Sequence, residues 1–184
     1  MTAPPLDDQS RVLLDVVERL EREDIQYMIS GSIALSAYVR PRMTRDIDVV
    51  VDVAMHQLDA LLRAFHGDYY LDAEAAGRAV AERRLVNAVH ESTLVKVDLV
   101  IWKDGPFRKS EFERRGSVTV HGRKMRLVSP EDLLLSKLLW GADSGSAVQF
   151  DDAKQLAGLQ LDWTYVERWA AALNLTESVE RLRQ

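Results

Sequence analysis

The chain has 184 residues, 47% of them hydrophobic and 29% charged, with a formal net charge of −5. This ordinary globular composition leaves room for one sizeable core and argues against a surface built to coat nucleic acid, while the absence of cysteine excludes disulfides, thiolate zinc sites and a cysteine nucleophile. No run approaches the length of a membrane span, and Met1 to Asp8 lacks the basic and apolar regions of a signal peptide, so a cytoplasmic protein with no membrane partner is expected.

Within Leu6 to Glu23, Leu13, Leu14, Val16, Val17 and Leu20 recur at helical spacing and predict a packing helix, with Asp7, Asp8 or Ser10 available as its cap. Tyr27-Met28-Ile29 reads as a short buried strand ending in Ser30-Gly31-Ser32, and a helix follows over Ile33 to Val39. A turn of small residues before a helix start exposes backbone N–H groups and suits phosphate. Pro41 ends this helix by disfavouring helical geometry at Arg40. Asp46-Ile47-Asp48 then opens the β-branched run Val49-Val50-Val51, with Arg40, Arg42 and Arg45 beside it. Residues two apart on a strand share a face, so Asp46 and Asp48 form a pair able to hold a hard cation. A buried apolar strand has little other reason to carry two acids, because unpaired charge there is costly.

Ala54 to His66 repeats Leu58, Leu61, Leu62 and Phe65 and predicts a helix covering the sheet. Tyr69-Tyr70-Leu71 reads as a short strand, and Ala73 to Arg83 as an Ala-rich helix weakened by Gly77. Arg84 to Val89 and Thr93 to Trp102 read as strands joined at His90-Glu91-Ser92, the second placing Lys96 and Asp98 on one face. If that strand lies beside the one carrying Asp46 and Asp48, three carboxylates converge, enough for two divalent ions roughly 3.5–4 Å apart. Pro106 to Arg115 predicts a polar helix; Ser117 to Val120 and Lys124 to Val128 predict a hairpin turning at His121-Gly122-Arg123. Ser129-Pro130-Glu131-Asp132 is a strong helix start for a helix through Trp140, stopped by Gly141 and followed by a flexible loop to Ala147. Helices over Val148 to Leu159, Asp162 to Leu173 and Thr176 to Arg183 complete the chain.

The fold class expected is α/β or α+β: a small mixed sheet with flanking helices over residues 1–128 and a helical region over 129–184. The plain readings stand beside the functional ones. Asp-x-Asp is common at solvated strand ends, a lone Lys137 is an ordinary solvated helix residue, Asp151 or Asp152 can cap a helix, and Trp140 and Trp163 read as core. Arg42, Arg45, Arg84 and Arg126 read either as phosphate or RNA contacts or as surface residues, and the four histidines have no ligand spacing.

Gly31-Ser32, a spacer of thirteen residues, Asp46-Ile47-Asp48 and the later Lys96-Val97-Asp98 resemble the signature of the nucleotidyltransferase superfamily of DNA polymerase beta-like fold. Within it, the chain looks most like AbiE-type toxins and related small bacterial nucleotidyltransferases, whose further marks match Lys137 and Asp152. The resemblance covers roughly residues 25 to 160. It implies transfer of a nucleoside monophosphate from an NTP to an acceptor hydroxyl, with two Mg²⁺ held by Asp46, Asp48 and Asp98. By the same resemblance Gly31, Ser32, Arg45, Lys96 and Asp152 serve nucleotide binding, and Lys137 neutralises the triphosphate. The implied acceptor is RNA, including a tRNA end, a protein side chain or a small molecule; a toxin role implies a cognate antitoxin. The alternative is an inactive nucleotide- or partner-binding module of the same fold, antitoxin-like.

Overall fold

A computed structural model describes residues 6–40, 44 and 46–183. Helix α1 (Asp8–Arg22) is capped by Asp7, whose carboxylate accepts from the Ser10 N–H at 2.6 Å, and buries Val12, Leu13, Val16, Val17 and Leu20. Strand β1 (Gln26–Ile29) leads into α2 (Gly31–Tyr38), and β2 (Asp46–Asp52) follows. A single 3₁₀ turn, Met55–Gln57, opens α3 (Leu58–Ala64); then come β3 (Tyr69–Tyr70), α4 (Ala73–Glu82), β4 (Leu85–His90) and β5 (Lys96–Ile101). The remainder is α5 (Pro106–Glu113), β6 (Gly116–Val120), β7 (Arg123–Leu127), α6 (Pro130–Ser144), α7 (Ala147–Ala157), α8 (Trp163–Ala172) and α9 (Thr176–Leu182).

The seven strands form one mixed sheet in the order β3-β4-β5-β2-β1-β7-β6. Its centre is the parallel pair β2–β5, in register from Asp46 against Lys96 to Val51 against Ile101; β1 runs antiparallel to β2 on the other side and parallel to β7. Strict alternation along β2 sorts the two faces. Ile47, Val49 and Val51, with Val97, Leu99 and Ile101 of β5, are wholly buried, whereas Asp46, Asp48 and Val50 point the other way and are half-buried. Tyr27 and Ile29 of β1, opposite Val51 and Val49, join the apolar face, over which α1 packs. Arg19 of α1 clamps this layer to the rim by donating to the Ala64 and His66 carbonyls while lying over the Tyr69 ring.

The β6–β7 hairpin turns on two residues, His121 and Gly122, both at positive φ, which is the twist-compatible geometry of a tight hairpin. Arg123 therefore belongs to β7, where it pairs with Glu18 and Glu21 of α1. After Leu127 the chain is helical, and its apolar residues join the sheet's in one buried cluster. Gly141 does not stop α6. It lies inside the helix, where an added Cβ would come 3.3 Å from the Gln149 side chain of α7, so it serves the close approach of the two helices. The stop is Gly145, at φ +65°, and no extended loop separates α6 from α7. Among the described residues no helix is long and apolar enough to cross a membrane.

Candidate active site

Parallel pairing of β2 and β5 sets Asp48 directly opposite Asp98 and Asp46 opposite Lys96, all on the face away from the apolar layer. The Lys96 ammonium stands between the outer acids, 3.1 Å from Asp46 Oδ2 and 3.2 Å from Asp98 Oδ1. Burial works against its charge, yet its hydrogen bonds to Asp46 and Asp98 outweigh this and raise its pKa. Asn87, directly across from Asp98 on β4, donates from Nδ2 to Asp98 Oδ1 at 2.5 Å. The sequence reading did not single out Asn87. The expected turn at His90-Glu91-Ser92 would set Arg84 opposite Asp98; the observed connection is longer, with Val89 opposite Lys96, and that register brings Asn87 to Asp98.

Gly31 positions the other side of the site. The Ser30 N–H donates to the Asp48 carbonyl at 2.9 Å, binding the start of α2 to β2. Gly31 itself sits at φ +61°, and a Cβ there would fall 1.9 Å from Asp48 Oδ2. Only glycine satisfies both the backbone and the close approach of that carboxylate. Ser30, the cap residue of α2, makes no side-chain cap hydrogen bond, and Ser32 in the first turn is buried. Burial pushes the Asp48 carboxyl above its ordinary value, with the Asp98 charge adding to the rise; Lys137 and the Ser32 backbone N–H oppose it.

Lys137 of α6 and Asp152 of α7 are both buried and form an ion pair at 2.8 Å. Lys137 is not on a solvated face, and Asp152 caps nothing: α7 begins at Ala147, with Ser146 at the cap position, so Asp152 falls in its second turn. Trp140, expected in the core, is 49% exposed and lines a cleft. Arg42 and Arg45, like the Pro41 helix stop, lie outside the described residues. Arg84 and Arg126 are exposed, one beside Glu82 and the other on Ser117.

The cleft measures about 370 Å³ and runs between the acid face of the sheet and α6. Ser30, Gly31, Asp48 and Lys137 line one end. Val50 and Val100 form an apolar stretch, and Arg108, Glu111 and Ser136 form a second polar end. Among the described residues, no group of three His, Cys, Asp or Glu side chains is arranged as a ready cation cage, and Lys96 stands between Asp46 and Asp98. The donor set nonetheless fits a divalent cation. Asp46, Asp48 and Asp98 offer only oxygen ligands, Lys96 balances one of their three charges, and Lys137 is already matched by Asp152. Burial is the larger cause of the raised pKa of Asp48, and the neighbouring Asp98 and Asp46 charges add to it.

No family model matches the sequence, and no curated protein sequence matches it. Solved structures do match over nearly the whole chain. ANT(2″)-Ia in complex with adenylyl-2″-tobramycin superposes with a TM-score of 0.62 at 14% identity, over 91% of this chain and 98% of the other. An antigenic nucleotidyltransferase-like protein from Paracoccidioides brasiliensis gives 0.57 at 20%, over 97% and 95%. The lincosamide antibiotic adenylyltransferase LnuA, lincomycin-bound, gives 0.54 at 15%, over 84% and 99%. The chain has a nucleotidyltransferase-like fold: a seven-stranded mixed sheet flanked by helices.

Proposed function

We propose that this chain is a metal-dependent nucleotidyltransferase that moves a nucleoside monophosphate from an NTP to an acceptor hydroxyl and releases pyrophosphate. The observation that carries this reading is the register of β2 on β5, which puts Asp46, Asp48 and Asp98 on one face beside the glycine-led start of α2. In this reading Asp46, Asp48 and Asp98 hold two Mg²⁺, which when bound would stabilise the attacking and leaving oxygens. Asp98, oriented by Asn87, receives or aligns the acceptor hydroxyl. The backbone N–H groups around Gly31 and Ser32 hold phosphate at the positive end of α2. Lys137, kept in place by Asp152, and Arg45 balance the triphosphate charge, and Lys96 exchanges its carboxylate partners for phosphate oxygens as the site loads. The chain then divides by role, residues 1–128 supplying the acids and residues 129–184 supplying Lys137.

The structural neighbours include enzymes bound to antibiotics, so a small molecule stands beside RNA, a tRNA end or a protein side chain as the acceptor. The AbiE-type resemblance adds the role of toxin, held by a cognate antitoxin. A second reading, an inactive nucleotide- or partner-binding module, draws support from Lys96, whose ammonium already occupies the gap between Asp46 and Asp98. Titrating each NTP with Mg²⁺ into the wild type and Asp46→Ala/Asp48→Ala, then incubating with total RNA and labelled NTP, separates the two. Label transfer that vanishes in the double variant supports the enzyme; nucleotide binding without transfer to RNA, protein or small acceptors supports the module.

A further inference from the structure

The cleft does not end at Lys137. At the preceding residue of α6, Ser136 donates from its hydroxyl to Glu111 Oε1 at 2.5 Å, and Arg108 Nη1 donates to both Glu111 Oε2 at 2.8 Å and Ser136 Oγ at 2.7 Å. Glu111 is 3% exposed, and both of its oxygens are taken. Among the described residues, the side-chain hydrogen bonds of Arg108 all run through Nη1, and its side chain remains 33% exposed on the cleft. A buried carboxylate therefore fixes a guanidinium whose remaining N–H donors stay unspent. Between this group and the acids, Val50 and Val100 form an apolar floor, and the half-exposed Trp140 stands one helical turn beyond Ser136 and Lys137. Val50 and Val100 lie two residues along their strands from Asp48 and Asp98, roughly 7 Å, about the reach of a ribose from its phosphate.

We infer that this far end of the cleft reads the nucleobase of the NTP, stacking it against Trp140 and selecting, through Arg108, a base whose edge presents two neighbouring acceptors. Guanine offers O6 and N7 and cytosine offers O2 and N3, whereas adenine sets an amino donor beside its N7. Glu111 and Ser136 are positioning residues that hold the guanidinium plane. The inference rests on the nucleotidyltransferase reading of the same cleft and adds its base preference.

The test is calorimetric titration of the four NTPs and of inorganic tripolyphosphate, each with Mg²⁺, into the full chain and into Arg108→Lys and Trp140→Ala, with thermal melting to verify folding. Arg108→Lys keeps the charge beside Glu111 but loses the planar fork. Expected for the wild type is tighter binding of GTP or CTP than ATP by about tenfold or more, the scale of one good bidentate contact. Arg108→Lys should remove that preference while leaving tripolyphosphate binding unchanged, and Trp140→Ala should weaken the favoured NTP by roughly 5- to 150-fold. Tripolyphosphate binding with no base preference in the wild type, or variants that leave the affinity of every NTP intact, would overturn the inference alone. Failure of every NTP and of tripolyphosphate to bind would overturn both it and the nucleotidyltransferase reading.

Discussion

Two clusters of charged side chains, one at the start of α6 and one on the sheet, treat their carboxylates in opposite ways. At the N-terminus of α6, Asp132 is wholly buried and accepts from Arg114 Nε, Ser129 Oγ and the Tyr165 hydroxyl. Its neighbour Glu131 accepts from Arg114 Nη2 and from the Asp162 N–H. Both acids also sit in the first turn of a helix, where the backbone dipole favours negative charge, and the Arg114 guanidinium stacks 3.7 Å from the Tyr165 ring centre. That network is closed: α5, α6 and α8 are tied together by acids whose oxygens are supplied with donors. On the sheet, Asp46, Asp48 and Asp98 share Lys96, Asn87 and the start of α2, and the pKa of Asp48 rises by burial and by its neighbours' charge. The same residue types serve cohesion in one place and leave unsatisfied charge in the other, and only the second has a use for an incoming cation and phosphate.

Substituting one acid from each cluster should separate the two roles. Asp98→Asn is expected to lower nucleotidyl transfer at least about a hundredfold, roughly 3 kcal/mol of barrier, while changing urea-unfolding stability by no more than about 1 kcal/mol, since its Lys96 partner is substantially exposed. Asp132→Ala should do the reverse, costing about 1–3 kcal/mol of stability by removing a buried carboxylate that accepts three side-chain hydrogen bonds, while Arg114 keeps Glu131 and the Tyr165 hydroxyl keeps Ser110, with turnover per folded molecule nearly unchanged. Should Asp98→Asn unfold the protein and keep its turnover, the contrast drawn between the clusters is wrong.

Lys137 and Asp152 straddle the comparison, being closed like the first cluster yet aimed at the second. Lys137→Met alone should cost about 3–5 kcal/mol by breaking the buried ion pair with Asp152. Adding Asp152→Leu should recover part of that loss, and the double-mutant cycle should report a coupling of roughly 0.5–3 kcal/mol. A coupling near zero would make the pair incidental to folding.

Glu111 gives the smallest effect and a pH signature. Burial pushes its carboxyl upward, against the pull of Arg108 and Ser136 toward the charged form. A carboxyl whose folded pKa exceeds its unfolded value contributes stability that is full below that unfolded value, near 4.5, and is lost as pH rises through the folded pKa. Urea unfolding of the wild type relative to Glu111→Gln should therefore show the wild type losing its advantage as pH rises above about 4.5. A constant difference across that range would mean that the folded structure does not raise this carboxyl.

Much of the site was legible because period-two alternation is local physics. Asp46 with Asp48, and Lys96 with Asp98, had to share faces once their segments were strands, and the strand assignments followed from β-branched runs ending in turn residues. The start of α6 was equally legible in Ser129-Pro130-Glu131-Asp132, and the observed cap is the Ser129 hydroxyl receiving the Asp132 N–H. Helix ends were less so. A glycine reads the same whether it stops a helix through a positive φ, as Gly145 does, or admits a neighbouring helix, as Gly141 does.

By itself, then, the sequence determined the mixed α/β character, the faces on which the acids lie and the residue types gathered near a helix start, because these follow from spacing along one chain. Only the tertiary structure decided that β2 and β5 pair in parallel with Asp48 opposite Asp98, and that Gly31 carries no side chain because the Asp48 carboxylate occupies the space. It alone matched Lys137 with Asp152, brought Asn87 to Asp98, and turned Trp140 and Arg108 into one cleft. Those are contacts between segments distant in sequence, and their register is set by how the apolar faces of sheet and helices close over one core, which no local period encodes.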